Sequence, residues 1–252
     1  MNKKFLLSLS LLATHAIASP LYHATAWMHQ AFAHPVVAIN GGLFNTGNAG
    51  FNKTFPMINE SFYVYHGDFD NHTQGILGLF VGSDYQLQSN WHMQLGLAYN
   101  QSLSFHTTGT IFQGADVQSA DNYEYSYNTV SRQFMLVGKF QKDAKLGWHP
   151  YGLVGVGASF NSTKSWNTTV PPFLTFTPEF KSKTNSAFTY QLGLGVDIDV
   201  YPQLRAGLGY RFADLGRNDL GNGTIDVVSI NDNLKQKHVY TNNLIAELTY
   251  LF

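Results

Sequence analysis

From Ala187 to Tyr201 the chain reads AFTYQLGLGVDIDVY, and its chemistry switches at every residue. Phe188, Tyr190, Leu192, Leu194, Val196, Ile198 and Val200 fall on one parity; Thr189, Gln191, Gly193, Gly195, Asp197 and Asp199 fall on the other. A period of two belongs to a β-strand, whose successive side chains point to opposite faces. Past Tyr201-Pro202-Gln203, where proline marks a tight turn, the pattern resumes. Leu204, Ala206, Leu208, Tyr210 and Phe212 oppose Arg205, Gly207, Gly209 and Arg211. WHMQLGLAYNQSLSF repeats it, setting Trp91, Met93, Leu95, Leu97, Tyr99, Leu103 and Phe105 against His92, Gln94, Gly96, Ala98, Asn100, Ser102 and Ser104.

The alternation predicts eight strands, at roughly 35–45, 73–87, 91–112, 122–141, 149–162, 187–201, 204–215 and 238–252. Short connections near 88–90, 142–148 and 202–203 alternate with long ones near 46–72, 113–121, 163–186 and 216–237. In an up-and-down sheet this places every long loop at one end and every tight turn at the other, together with both termini. One face is almost continuous Leu, Val, Ile, Phe and Tyr; the other is Gly, Ser, Gln, Asn and a few charges. An eight-stranded lumen is narrow, so the small polar set fits inside and the bulky apolar set must face outward. An outward apolar band is tolerable only in lipid, and there the sheet must close to satisfy its edges. The fold class predicted is all-β, an eight-stranded antiparallel up-and-down transmembrane β-barrel.

Composition agrees with lipid exposure: only 12% of residues are charged, 15% are aromatic, and glycines number 23. A net charge of −1 gives no basic footprint for nucleic acid. Cysteine is absent, which excludes a disulfide framework or a thiolate metal site. Residues 1–18 read as a secretory signal peptide, with two lysines, an apolar stretch from Phe5 to Ala13 and the triplet Ala16-Ile17-Ala18. The barrel domain is then expected over 19–252. Tyr85, Trp91, Trp148, Tyr151 and Tyr201, with Tyr250 and Phe252, cluster near the tight-turn end and are expected to form an interfacial girdle.

The alternating strands, the stretch DVYPQLRAGLGYRFADLG and the terminal aromatic resemble the OmpA-like and opacity-type outer-membrane β-barrel superfamily. The resemblance implies a bacterial outer-membrane location with periplasmic termini. It also implies that the last strand is read by the barrel-assembly machinery. Leu244, Ala246, Leu248, Tyr250 and Phe252 match that pattern. No peptidoglycan-binding domain is expected after the barrel, so cell-wall anchoring is not carried over.

By parity Asp84, Lys139, Asp197, Asp199, Arg205, Arg211 and Glu247 point into the lumen. A lipid-facing Arg or Lys near the midplane costs roughly 2–4 kcal/mol, so inward placement and cross-strand ion pairs are expected. Such pairs either plug the barrel or gate a small-ion path. Ser104 and His106 permit a nucleophile–base contact of the kind used by lipid-modifying barrel enzymes, but no acidic orienting group accompanies them, and no catalytic site is assigned. His23, His29 and His34 lack the carboxylate or cysteine that would complete a metal site, so no metal and no cofactor are expected. Asn52, Asn167 and Asn222 open formal glycosylation sequons that read as polar loop. The loop 163–186, with Trp166, Pro171, Pro172, Phe173, Phe176 and Phe180, can bind a partner, enter the outer leaflet or cover the barrel mouth. Tyr123, Tyr125 and Tyr127 read as an interfacial belt or an extended sheet. Expected partners are outer-membrane lipid and lipopolysaccharide, the assembly machinery, and an extracellular ligand met by the loops. The expected role is structural or surface interaction without a catalytic cycle; the alternatives are a small gated channel for ions or hydrophobic solutes, then a lipid-modifying enzyme.

Overall fold

The computed structural model describes residues 33–46, 51–56, 62–68, 73–88, 90–113, 122–169, 179–225 and 228–252. Residues 1–18, expected to be a signal peptide, and His23, His29, Pro171, Pro172, Phe173 and Phe176 lie outside them. Eight strands build the wall: β1 (Ala33–Thr46), β2 (Thr73–Gln88), β3 (Trp91–Ser102), β4 (Asn122–Lys142), β5 (Trp148–Thr169), β6 (Lys183–Tyr201), β7 (Leu204–Asp214) and β8 (Tyr240–Leu251). Each pairs antiparallel with the next in sequence. The last pairs with the first, from Val36↔Leu251 to Thr46↔Thr241. That closes the ring of hydrogen bonds, the condition a sheet must meet in hydrocarbon. The tight turn at 202–203 and the chain's last residue share one end, where Leu251 N donates to Gln203 O and Phe252 N to Pro35 O.

The outward parity stays exposed, as in Leu77 (62%), Leu97 (68%), Leu194 (65%) and Leu208 (56%). Near the long-loop end it carries aromatics in contact around the wall: Tyr99 with Phe134, Phe134 with Phe160, Phe188 with Tyr190, Tyr190 with Phe212, and Phe212 with Tyr240. This second girdle was not read from the sequence. From Tyr240 to Tyr250, strand β8 rises about 33 Å, and a tilt of about 40° reduces that to about 25 Å of membrane normal. The apolar belt of an outer-membrane barrel has that height.

The described parts of the long connections contain further strands. After a break at Leu103 and Ser104, the line of β3 continues as the strand Phe105–Gln113, paired with the upper part of β4. Its other edge holds Phe62–Asp68, which in turn pairs with Phe51–Pro56. The expected loop 46–72 therefore contains a hairpin. The break also inverts parity. Phe105 was placed on the outward face with Leu103; it is 3% exposed and packs edge-on against Phe44 inside the barrel, ring centroids 5.7 Å apart.

The inner face of the raised sheet carries Tyr63, Tyr65, Ile111, Tyr123, Tyr125 and Tyr127, all at most 3% exposed. They pack with Phe55, Phe180, Leu220 and Leu234, and Trp166 lies against the cluster. Trp166 stacks on Tyr125 at 4.8 Å and meets Phe180 at 4.9 Å. The described part of the loop 163–186 thus packs into a core over the barrel mouth, and the three tyrosines form extended sheet instead of a lipid-facing belt.

Candidate functional site

Among its inward residues β5 presents His149, Tyr151 and Leu153, while β6 and β7 present Gly193, Gly195, Gly207 and Gly209 beside charged groups. The glycines leave a slot. A Cβ on Gly195 or Gly209 would collide with the Tyr151 ring or hydroxyl. Tyr151, expected in the interfacial girdle, fills that slot: it is 7% exposed, and Lys139 Nζ lies 4.1 Å from its ring centroid. Alternation around Pro150 points it inward. The other girdle candidates behave differently: Trp91 is 47%, Trp148 47%, Tyr201 67%, Tyr250 40% and Phe252 61% exposed, and Tyr85 is half-buried.

Lys139 stands at the centre of the lumen. Its Nζ donates to Asp197 Oδ2 at 2.6 Å and to Glu247 Oε1 at 2.7 Å. The second oxygen of Glu247 accepts from Arg211 Nη2 at 2.8 Å. Asp197 also accepts from Gln141, whose Oε1 accepts from Arg205 Nη1 at 3.4 Å. Arg205 Nε then reaches Asp199 at 3.0 Å. Towards the tight turns the chain of contacts continues: His149 lies between Asp199 (3.0 Å) and Asp143 (2.8 Å), and His92 lies between Asp143 (3.0 Å) and Asp84 (3.5 Å). All seven charged residues singled out by parity therefore belong to one connected network, supplied by every wall strand except β1. His92, His149, Gln141 and Asp143 were not singled out, although His92 stood on the polar parity.

The network leaves little room. The cavity beside Lys139, Glu247 and Arg211, lined also by Asn40, Gln94 and Gln191, has a volume of about 10 Å³, roughly one water. Above it Phe44, Phe105, Ala213, Leu215 and Val239 form an apolar cluster inside the wall, and the aromatic core lies above that.

Other sequence candidates are placed as follows. Leu244 (55%) and Leu248 (47%) join Ala246, Tyr250 and Phe252 on the outward face of β8, with Tyr250 and Phe252 edge-to-face at 4.8 Å. His106 Nδ1 lies 2.9 Å from Asn128 Oδ1, so its close partner is an amide on β4 and not Ser104. His34 sits on β1 opposite Asp84 in register. Among the described residues, no group of three or more His, Cys, Asp or Glu could hold a metal ion.

The family described as outer membrane protein beta-barrel domain matches residues 5–252. The chain belongs to that family. It is accordingly an outer-membrane β-barrel protein with transmembrane strands. Solved structures similar to it include Neisserial surface protein A (11% identity, 87% of this chain and 99% of that chain, TM-score 0.41). Others are OprG from Pseudomonas aeruginosa (11%, 86% and 95%, TM-score 0.44) and the outer membrane protease OmpT from Escherichia coli (9%, 88% and 97%, TM-score 0.43). Comparison with curated protein sequences finds no match.

Proposed function

We propose that this outer-membrane barrel is sealed and that its working surface is the raised, aromatic-cored platform at the long-loop end. That end faces the exterior, and the tight turns and termini face the periplasm. The observation that carries this reading is the filling of the lumen at successive levels. The His–Asp contacts, the Lys139 network, the Phe44–Phe105 cluster and the aromatic core follow one another from the tight turns outward. A conduit would leave a continuous water path; a plugged barrel converts its interior into rigidity for what it displays. Catalysis has no part in the reading, since His106 is engaged by Asn128.

Orientation is directly testable because the chain contains no cysteine. A membrane-impermeant maleimide applied to intact cells should label Ser229→Cys, on the exposed strand Val228–Ile230, and leave Gln203→Cys unlabelled until the envelope is permeabilised. The opposite pattern rejects the platform as a surface feature. For the C-terminal stripe the role supported is assembly: deletion of Phe252 should lower the amount inserted in cells far more than the urea stability of refolded protein. Equal losses in both would count against it.

A further inference from the structure

The outward face of the raised sheet has a different chemistry from its aromatic inner face, and one irregularity creates the difference. Between β4 and β5 the register runs Ser126↔Asn167 and then Asn128↔Lys164, so two residues of β5 oppose Tyr127. Ser165 takes the left-handed conformation, φ 56°, and Trp166 swings inward onto Tyr125. Such a bulge re-aims the side chains beyond it. Outside, a groove of about 380 Å³ is left, lined by polar groups that include Thr108, Thr110, Ser126, Asn167 and Thr169. Glu124 stands at its far end and His106 at its near end.

Two cations flank the groove on its membrane side, Lys164 at its near end and Arg132 further down β4. Lys164 is in register with Asn128, and Arg132 with Phe160. Both are exposed, and among the described residues neither has an ion-pair partner. The Phe160 ring that Arg132 opposes meets the Phe134 ring at 6.1 Å, so Arg132 stands at the upper edge of the outer aromatic girdle and Lys164 four residues beyond Phe160 along β5. Up the same face come acyl-facing aliphatics, an aromatic rung edged by Arg132, then Lys164 at the near end of a groove of hydroxyls and amides.

We propose that this face binds a phosphorylated glycolipid of the outer leaflet. Its acyl chains would lie along the apolar wall, its phosphates on Arg132 and Lys164, and its sugar hydroxyls in the groove. The proposal rests on the outward orientation of the long-loop end. Free anionic ligands fit less well, because Glu124 opposes negative charge in the groove and Arg132 borders the aromatic girdle, where headgroup phosphates begin. A neutral saccharide alone would leave both cations unused.

The test is a titration of the refolded protein in detergent, counting bound lipid by native mass spectrometry. The probes are purified short-chain lipopolysaccharide, its dephosphorylated form, and phosphatidylglycerol. Wild type should hold the phosphorylated glycolipid more tightly than either of the others. R132Q with K164Q should weaken it about 30-fold, at roughly fivefold for each cation near a headgroup layer. S126L, which fills the groove, should weaken glycolipid binding and leave phosphatidylglycerol unchanged. R217Q with K237Q, loop cations elsewhere, should behave as wild type. Heat-modifiable gel migration confirms that each variant is folded. Equal binding of phosphatidylglycerol by wild type, or a double variant within twofold of wild type, overturns the site. The titration is indifferent to orientation, so the maleimide experiment fails or succeeds independently of it.

Discussion

Replacing Lys139 by methionine keeps most of the side-chain volume and removes the charge from the middle of the lumen. Its amine faces Asp197 at 2.6 Å and Glu247 at 2.7 Å, and all three side chains are almost inaccessible to solvent. At an effective dielectric constant of about 20, each contact carries about 6 kcal/mol of gross Coulomb energy. Most of that is offset by desolvation. What remains decisive is the charge left behind: Arg211 still serves Glu247, but Asp197 keeps only the Gln141 amide at close range. Breaking a buried pair this way costs about 3–5 kcal/mol. Removing both partners, K139M with D197N, leaves the Arg211–Glu247 pair intact and no uncompensated charge. It should therefore stay within about 2 kcal/mol of wild type. Urea unfolding in lipid vesicles, followed by tryptophan fluorescence and gel migration, measures both. A single variant costing less than about 1 kcal/mol, or a double variant no more stable than the single, would refute the network as an electrostatic unit.

Other consequences are smaller in reach. W166A removes the ring between Tyr125 and Phe180 and should cost the platform about 3–5 kcal/mol; trypsin should then cut the outer loops while the barrel keeps its folded migration, and simultaneous loss of both would contradict a separate upper core. G209A places a methyl against the Tyr151 hydroxyl, an overpacking of about 1–3 kcal/mol, and adding Y151F should restore much of the loss; no rescue would mean the slot is misassigned. Asp232, on the outer loop, is bridged by Lys53 and Lys235, and Lys53 holds its carboxyl down at about 2 from the ordinary 3.8. A lowered folded-state value means its stabilisation is complete above pH 3.8 and fades as pH falls through about 2. Proteolysis of the hairpin formed by Phe51–Pro56 and Phe62–Asp68 should accelerate in that window for wild type and be flatter for K53M; identical profiles would exclude the tether.

How much of this was legible depended on whether the deciding contact was local. Alternation needs only a residue and its neighbours, so the wall strands and the inward charges could be read from parity. Parity fails where the backbone breaks step, and Phe105 turned inward because Leu103 and Ser104 interrupt the strand. Tyr151 had an inward local signal in the alternation around Pro150, whereas the glycines of β6 and β7 that make room for its ring are far away in sequence. The hairpin within 46–72 buries Phe55, Tyr63 and Tyr65 against Phe180 and Leu220, a partnership that no local pattern announces. His92 carried a usable signal, its polar parity, whereas Asp143 and His149 matter only because the turn after β4 places Asp143 between the ends of β3 and β5.

The sealed lumen is the claim on which the rest depends, and planar-bilayer recording of the refolded protein tests it most directly. With an open porin in the same apparatus as positive control, wild type should incorporate and show no unitary current steps, and E247Q and R205Q should be equally silent. Reproducible steps from wild type, or steps that appear in either variant, would contradict a plugged barrel and establish a gated path.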